Sequence, residues 1–303
     1  MSAAPDAPLA LVVTADDAGE RADVVLGRRL PGLSRRVARD LALAGRLRVD
    51  GRTAPPAHRV AAGERLELSL ASVDLALPPL VVLAVTPRFV YVDKPAGVHT
   101  HRLRPDDPPA LADAVVAAHP ECRAAGDPRE GGAVHRLDHG TSGVLAFARD
   151  PAAHAAARAG FTAGLVVKHY LAEVTCPEDH LWPPPPAPHL RPHGDELEVT
   201  APLGRGDRPG RVAVRPDGQP SRTTVGRPRR LVAERARCEL VLHTGRRHQA
   251  RVHLAHLGLP IVGDVLYGGP PSTRLHLHAA RLDLSAAVPD EPPVAAPDPF
   301  AAD

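Results

Sequence analysis

The apolar residues in the first quarter of the chain follow a helical period and then a strand period. Two segments repeat apolar residues every three or four positions, and two later segments alternate apolar with polar residues. These segments predict helices over residues 21–30 and 34–43 and strands over residues 47–49 and 65–70. Ser34 is a suitable N-cap for the second helix, and Asp50-Gly51 favours a hairpin turn after the first strand. The pattern therefore predicts a small αα-β unit over residues 14–72.

Strand-like segments predominate in the rest of the chain. The predicted strands are residues 90–93, 144–148, 168–174, 237–243 and 275–282. The predicted helices are residues 111–118, an Ala-rich segment that follows the second of these strands, and residues 247–257. A Pro-containing linker, residues 74–79, separates the two regions. We therefore expect a second, β-rich domain over residues 80–285.

Three segments lack a regular pattern. Residues 1–13 are rich in Ala and Pro, and residues 288–303 are rich in Pro and acidic residues. Both compositions are typical of chain that cannot bury enough apolar surface to fold, so both ends are expected to be flexible tails. Residues 177–196 include six prolines between Pro177 and Pro188 and predict an irregular surface excursion.

Positive charge is concentrated in two blocks, although the formal net charge is only +2. Ten arginines and three acidic residues lie between Arg21 and Arg59, and thirteen arginines and four acidic residues lie between Arg205 and Arg251. After Arg281, all of the charged residues are acidic. Two basic blocks in an otherwise balanced chain predict a polyanionic partner that is contacted at two places.

The cysteines and the apolar runs limit the cellular context. Three cysteines are scattered without CxxC spacing, which argues against a disulfide framework and against a structural zinc site. The N-terminus lacks the apolar segment of a signal peptide, and no apolar run has the length of a membrane span. The expected location is the reducing cytoplasm.

The segment HRLDHGTSGVLAFAR, residues 135–149, has the strongest chemical signal. It places Asp138 in a short turn between Arg136 and a Gly-Thr-Ser-Gly run, and a predicted strand follows immediately. Such a turn can hold a reactive carboxylate in a fixed position at the end of a strand. An aspartate in a turn also commonly caps its own backbone, so the choice between these roles depends on the rest of the chain.

Four segments in the same order resemble the RluA-type RNA pseudouridine synthases, and the first domain resembles the S4 RNA-binding domain. The segments are YVDKPAGVHTH, GGAVHRLDHGTSGVLAFAR, KHYLAEV and TGRRHQARVHLAHLGLPIVGDVLYGG. The resemblance covers roughly residues 14–285. It implies an α+β protein with an S4 domain followed by a synthase domain, in which a largely antiparallel mixed sheet surrounds a central RNA-binding cleft.

The resemblance implies that the protein isomerises uridine in structured RNA to pseudouridine without a cofactor. The appended S4 domain favours ribosomal RNA, large subunit first, over transfer RNA as the partner. No membrane and no obligate protein partner is indicated, and a monomer is expected.

The resemblance also implies roles for individual residues. Asp138 would be the catalytic carboxylate, as a nucleophile or as a base, and Arg251 would pair with it. Tyr170 would stack on the displaced uracil, and Arg136 would contact the flipped nucleotide or fill its place. The residues expected to contact RNA elsewhere are Lys94 and Lys168, through phosphates, and Arg35, Arg36, Arg39 and Arg46 on the S4 domain.

Two alternative functions and three departures from the family pattern remain open. The first alternative is an S4-type RNA-binding protein without turnover. The second is a metal-dependent hydrolase built on His243, His248, His253 and His256, but HExxH spacing and cysteine ligands are absent there, so no metal is expected. The departures are Arg247, Ala250 and His99-Thr100-His101, where the family usually has Thr or Ser, a larger aliphatic residue, and an aliphatic-Val-His sequence.

Overall fold

The protein folds into two compact units in a computed structural model that describes residues 9–30, 33–43, 45–69, 77–103 and 107–300. The first unit comprises Met1–Ala76 and Arg102–Pro109. The second comprises Leu77–His101 and Ala110–Asp303.

The first unit packs two helices against a four-stranded antiparallel sheet. Its elements are β1 (Leu9–Val12), α1 (Ala22–Arg29), α2 (Arg35–Leu43), β2 (Leu47–Val49), β3 (Arg52–Thr53) and β4 (Arg65–Leu68), with a short 3₁₀ turn at Ala15–Asp17. The strand order is β1-β4-β2-β3. The apolar stripes of both helices meet the inward positions of the strands, and Leu26, Leu47 and Leu66 are fully buried in this core.

Two local predictions in this unit are confirmed. Ser34 caps α2, because its Oγ accepts a hydrogen bond from the Val37 amide at 3.3 Å. Asp50 and Gly51 form the turn between β2 and β3 with φ values of 48° and 78°. This left-handed backbone at both turn positions favours an Asp-Gly pair, since other side chains are strained there.

The prediction of a flexible segment over residues 1–13 is wrong for residues 9–13. Leu9–Val12 form strand β1, which pairs with β4, and Leu11 lies opposite Leu66. Val13 is buried in the core of the unit. The alternating Leu and Val side chains have enough apolar surface to add one strand to the sheet, although composition alone indicated a flexible tail. Residues 1–8 lie outside the described residues.

The second unit is built on a large mixed sheet. Its strands are β5 (Val81–Val85), β6 (Phe89–Lys94), β7 (Ser142–Ala148), β8 (Val167–Thr175), β9 (Leu190–His193), β10 (Glu196–Val199), β11 (Leu203–Arg205), β12 (Val212–Val214), β13 (Thr223–Gly226), β14 (Arg229–Arg230), β15 (Arg235–Leu242), β16 (Leu277–Asp283) and β17 (Val294–Ala295). Its helices are α3 (Leu111–Ala118), α4 (Pro151–Ala163) and α5 (Gln249–His256), with 3₁₀ turns at Pro120–Ala124 and Val265–Tyr267.

Eleven of these strands form one sheet with the order β5-β6-β7-β16-β8-β15-β13-β10-β9, and β14 and β17 pair with β15 and β16. The pair β7–β16 is parallel and the other pairs are antiparallel. The largely antiparallel mixed sheet expected from the sequence is therefore confirmed. Strands β11 and β12 form a separate hairpin.

Strands β7 and β16 pair through two residue pairs. The register there joins His278 to Ser142 and Ala279 to Gly143, and we call these two residue pairs the β7–β16 junction. Gly143 has a φ of 113°, and a Cβ atom at this position would lie 2.2 Å from the Ala279 carbonyl oxygen. Only glycine allows the two backbones to approach this closely.

The prediction of a flexible C-terminal tail is wrong for residues 288–300. Val288, Val294 and Phe300 are buried, and Val294 pairs with Leu282 of β16. Single apolar residues, separated by prolines and acidic residues, are thus buried along this segment. The overall composition of the segment does not reveal such single anchoring residues. Residues 301–303 lie outside the described residues.

The state of the cysteines and the lengths of the helices bear on two predictions made from the sequence. Cys122, Cys176 and Cys238 are free and buried. The longest helix in the described part of the chain has 13 residues, and none there is long and apolar enough to cross a bilayer.

Candidate active site

Asp138 lies at the start of the turn that leads into β7. The Thr141 amide donates a hydrogen bond of 3.0 Å to the Asp138 carbonyl oxygen, which closes the turn, and β7 begins at the next residue. The Asp138 side chain is 22% exposed and lines a cleft of about 760 Å³. The turn therefore presents a partly shielded carboxylate to a space that a ligand can enter.

Thr100 fixes the residue that precedes Asp138. Its hydroxyl accepts a hydrogen bond from the Leu137 amide at 3.2 Å and is 3.3 Å from the Leu137 carbonyl oxygen, to which it can donate. Both residues are buried. Thr100 belongs to the His-Thr-His departure from the family pattern, and the sequence did not indicate that it would hold the Asp138 backbone.

Lys94 is not available to bind a phosphate, which corrects the role expected for it. Its side chain is fully buried, and Nζ donates to the carbonyl oxygens of Pro95, Val98 and His139 at 3.0, 2.7 and 3.2 Å. Burial lowers the pKa of the Lys94 ammonium to about 7. A buried amine requires hydrogen-bond acceptors, and these three carbonyls join the turn after β6 to the turn of Asp138.

Arg251, on helix α5, lies between the carboxylates of Asp138 and Asp264. It makes a bidentate pair with Asp264, with Nε to Oδ2 and Nη2 to Oδ1 both at 2.7 Å. Its Nη1 lies 3.7 Å from Oδ2 of Asp138. The Asp264 side chain is 1% exposed, so this buried acid fixes the guanidinium and leaves one edge directed toward Asp138.

Asp264 is a residue whose role the sequence reasoning missed. It lies in the IVGD segment, which is part of the resemblance to the family but carries no role that the sequence indicates. The available signal was an acid in a glycine-containing turn, thirteen residues after an arginine expected to pair with a catalytic carboxylate. That signal is weak because a turn aspartate usually bonds to its own backbone.

Tyr267 and His248 complete the surroundings of Arg251. The Arg251 guanidinium lies 5.0 Å from the centroid of the Tyr267 ring, and the Tyr267 hydroxyl lies 2.8 Å from Nδ1 of His248. The same hydroxyl accepts a hydrogen bond from the Val212 amide at 2.9 Å. His248 has a positive φ of 55°, which is an unfavourable backbone conformation for a residue with a side chain. The residue in this conformation is the one that contacts the Tyr267 hydroxyl.

Tyr170 and Lys168 point from β8 into the same cleft as Asp138. Consecutive strand residues alternate between faces, so these two, spaced by two positions, share one face. Tyr170 is buried, and burial raises the pKa of its phenol. The Lys168 ammonium donates to the Thr244 carbonyl oxygen at 2.8 Å, and burial lowers its pKa to about 8.

The expected RNA-contacting arginines have different surroundings. Arg136 is exposed and lines the cleft. On α2, Arg35 is 61% exposed, Arg39 is exposed, and Arg36 forms ion pairs with Asp40 and Asp107 at 3.7 and 3.0 Å. Arg46 is half-buried. The structure thus brings Asp138, Arg251, Tyr170, Lys168 and Arg136 together in one cleft, whereas the α2 arginines and Arg46 belong to the first unit.

The histidines considered as metal ligands have protein partners instead. His253 is fully buried and hydrogen-bonds to Thr223 Oγ1 at 2.9 Å and to Ser221 Oγ at 3.0 Å, and its pKa is lowered to about 4 by burial. His256 lies 2.6 Å from His189. Within the described ranges, no three His, Cys, Asp or Glu residues are grouped in a way that could hold a metal ion.

Comparison with known proteins gives a consistent result for both units. A family model for RNA pseudouridylate synthase matches residues 88–256, and a model for the S4 domain matches residues 20–66. An uncharacterized RNA pseudouridine synthase of Chloroflexus aurantiacus is 35% identical over 290 residues, which cover 91% of this chain and 83% of that protein. A ribosomal large subunit pseudouridine synthase D of Xanthomonas campestris is 36% identical over 264 residues, 85% of this chain and 74% of that protein.

Solved structures agree with the fold. The human RNA pseudouridylate synthase domain containing 1 protein superposes with a TM-score of 0.55 at 26% identity, covering 73% of this chain and 84% of that chain. The human domain containing 4 protein has a TM-score of 0.53 at 22% identity, covers 73% of this chain and 89% of that chain, and shares the fold.

The fold and the cleft, together with these matches, define an RNA-modifying isomerase preceded by an S4 RNA-binding domain. The chain belongs to the RNA pseudouridine synthase family. Its reaction is the conversion of uridine in RNA to pseudouridine.

Proposed function

We propose that this enzyme modifies uridine in large-subunit ribosomal RNA and that Asp138 is its catalytic group. One observation carries the proposal for the site: of the described residues that line the cleft, Asp138 is the only acid, and its carboxylate faces Arg251 at 3.7 Å. A lone carboxylate beside a fixed cation and a buried tyrosine is suited to nucleophilic or general-base chemistry.

The isomerisation breaks the bond from N1 of uracil to C1′ of ribose and forms a bond from C5 to C1′. The proton on C5 is lost and N1 gains one, so no redox step and no external group are needed. The Asp138 carboxylate can attack the nucleoside as a nucleophile or remove a proton from the ribose as a base. Either role requires a carboxylate held in a fixed position, and the Arg251 guanidinium lies 3.7 Å from it.

The base must leave its stack before it reaches Asp138, because the reacting bond is inaccessible within a helix. The cleft volume of about 760 Å³ lies within the usual range for small-ligand sites, which is about 300–1,000 Å³. The Tyr170 ring offers an aromatic surface for the displaced uracil, and Arg136 and Lys168 offer positive charge for the flanking phosphates.

The RNA class is proposed from the S4 unit and from the relatives. The Xanthomonas campestris protein is named for the large ribosomal subunit, and the S4 domain matches residues 20–66. Pseudouridine should be mapped in total RNA from strains with and without the gene, and with the gene carrying Asp138→Asn. We expect sites in large-subunit ribosomal RNA to disappear in both altered strains. Loss of sites in transfer RNA alone would refute the proposed RNA class.

The alternative of a silent RNA-binding protein is tested by a single reaction. RNA labelled with tritium at C5 of uracil releases the label when pseudouridine forms, so the wild-type protein should release tritium into water. Absence of release from every RNA fraction of the source cell would favour the silent alternative. The predicted monomer can be checked on the same preparation by light scattering after size exclusion.

A further inference from the structure

We propose that residues 289–300 are a strap that fixes the two parts of the sheet bearing the active-site groups, and that Phe300 is a positioning residue for the isomerisation. The inference rests on the proposed role of Asp138. It concerns described residues that are not among those lining the cleft.

The active-site groups lie on different sides of the β7–β16 junction. Asp138 precedes β7, whereas Tyr170 is on β8 and Arg251 is on α5, which contacts β13. Both β8 and β13 lie beyond β16 in the sheet order. The backbone register at the junction consists of two residue pairs. A shift of about 1 Å in catalytic geometry can cost about 100-fold in rate, so further contacts across this junction matter for turnover.

A side-chain bridge adds to the junction directly behind the Asp138 turn. Ser142 Oγ accepts a hydrogen bond from Arg274 Nη2 at 2.6 Å and is hydrogen-bonded to His278 Nδ1 at 2.8 Å. Ser142 is the fourth residue after Asp138. Ser142 and His278 are both buried, so the bridge is shielded from water.

Phe300 covers this bridge. Its ring is stacked on His276 at a centroid distance of 5.4 Å and an interplanar angle of 5°, and it meets His278 edge-on at 6.3 Å. The Arg274 guanidinium lies 5.3 Å from the ring centroid. Phe300 is 3% exposed, so its removal would open the arginine and both histidines to water.

The same cluster extends to the strand of Tyr170. Glu173 is buried on β8, three residues after Tyr170, and accepts hydrogen bonds from Arg237 Nη2 at 3.1 Å and from His276 Nδ1 at 3.0 Å. Arg237 also donates to the Phe300 carbonyl oxygen at 3.1 Å and to Asp298 at 2.9 Å. The end of the strap therefore contacts the β8–β15 part of the sheet through charged groups.

The other end of the strap is attached to β6 and its preceding turn. The Tyr91 hydroxyl donates to Glu291 Oε1 at 2.9 Å, and both side chains are buried. Arg88 donates to the Pro289 carbonyl oxygen at 2.9 Å. Between the two ends, Val294 pairs with Leu282 of β16. The strap thus runs from the β6–β7 part, which bears Asp138, across β16 to β15.

The test compares Phe300→Ala, Phe300→Tyr and a chain that ends at Ala296 with the wild type, using single-turnover kinetics at saturating enzyme and RNA affinity measured separately. Phe300→Ala and the truncation should lower the rate constant about 10- to 100-fold, as expected for displaced catalytic groups, with RNA affinity changed less than about twofold. Phe300→Tyr keeps the ring stack and should restore most of the rate.

Leu197→Ala is the matched control, because Leu197 is a buried core residue on β10, four strands from β16. It should lower the melting temperature as Phe300→Ala does but leave the rate constant below that temperature unchanged. An unchanged rate in folded Phe300→Ala, or a loss confined to RNA affinity, would overturn the proposal. If Phe300→Ala does not fold, Phe300→Leu takes its place. Asp138→Asn is assayed in parallel, and turnover in that variant would refute the role of Asp138 independently of the strap.

Discussion

At the scale of single residues, the site separates a carboxylate that faces the cleft from one that is buried. Asp138 and Asp264 both approach Arg251, but only Asp264 forms the short bidentate pair. Asp264 is 1% exposed and Asp138 is 22% exposed. The two acids therefore have different expected roles: Asp264 fixes the guanidinium, and Asp138 meets the substrate.

Asn substitutions at the two positions should separate these roles. Asp138→Asn keeps the size of the side chain, so stability and RNA binding should change little while turnover falls to background. Asp264→Asn removes one partner of a buried ion pair, which typically costs about 3–5 kcal/mol of unfolding free energy. Thermal unfolding measures the change in stability of each variant, and tritium release from RNA labelled at C5 of uracil measures its turnover. Measurable turnover in folded Asp138→Asn would refute the assignment of the catalytic group.

Lys94→Met tests the corrected role of the buried lysine. The substitution removes the Lys94 donor from the Pro95 and Val98 carbonyl oxygens, whereas the His139 carbonyl oxygen still accepts from the Gly97 amide at 2.9 Å. Each unsatisfied buried group costs about 1–3 kcal/mol. Denaturant unfolding should therefore show a loss of several kcal/mol, whereas the salt dependence of RNA binding by the folded variant should match that of the wild type. A shallower salt dependence would instead indicate a phosphate contact.

At the scale of elements, α2 presents its arginines unequally. All three are exposed, but Arg35 pairs with one acid, Asp23, at 3.5 Å, and Arg36 pairs with two, Asp40 and Asp107. RNA phosphates release counterions when cations bind them, so each lost contact lowers the salt slope of the binding constant by about 0.7–0.9. Substitution of Arg35 and Arg39 therefore tests directly whether the S4 domain binds RNA.

The double variant Arg35→Ala/Arg39→Ala should weaken RNA binding and reduce the salt slope by about 1.4–1.8, if each arginine meets one phosphate. Asp23 keeps its bidentate partner Arg21, so the fold of the unit should be preserved. Arg129→Ala is the control, because Arg129 is 82% exposed and lies outside the cleft. A slope equal to that of the control would exclude these two arginines from the RNA contact.

Elements with strong local patterns were predicted well from the sequence. Helix α3 has the predicted bounds, residues 111–118, and β7 and β8 begin within two residues of their predicted starts. Strands β1 and β17 were missed because they are short and depend on sheet edges supplied by distant segments. Tertiary contacts rather than local propensity decide such elements.

The site was predicted to the extent that its residues lie in long motifs. Asp138, Arg251 and Tyr170 line one cleft as expected, but the phosphate-binding role of Lys94 was wrong because a sequence motif does not report burial. Thr100 and Asp264 were missed because their partners Leu137 and Arg251 are 37 and 13 residues away. Contacts at such separations exist only once the chain has folded.

At the scale of the whole molecule, buried neutral histidines make stability depend on pH. Burial lowers the pKa values of His253 and His278 to about 4 from an ordinary value of 6.5. Between these values the unfolded chain binds more protons than the native protein, so the free energy of unfolding rises with pH. The stability from these groups is present above pH 6.5 and is lost as pH falls toward 4.

Urea unfolding at pH 7.5, 6 and 5 should show a progressive loss of stability. His253→Gln removes one titrating group while retaining a polar side chain, so its stability should fall less steeply over the same range than that of the wild type. An equal slope in the two proteins would mean that His253 does not contribute to the acid sensitivity.

The three buried cysteines make the enzyme a suitable background for site-directed labelling. Burial raises the thiol pKa of Cys122 to about 11 and of Cys238 to about 12, and it raises that of Cys176 as well. Thiolates are the reactive species, so Ellman's reagent should detect no thiol in the native enzyme at pH 7.5 and three in denaturant. A single cysteine introduced on α2 could then carry a fluorophore that reports RNA arrival, without first mutating the natural thiols.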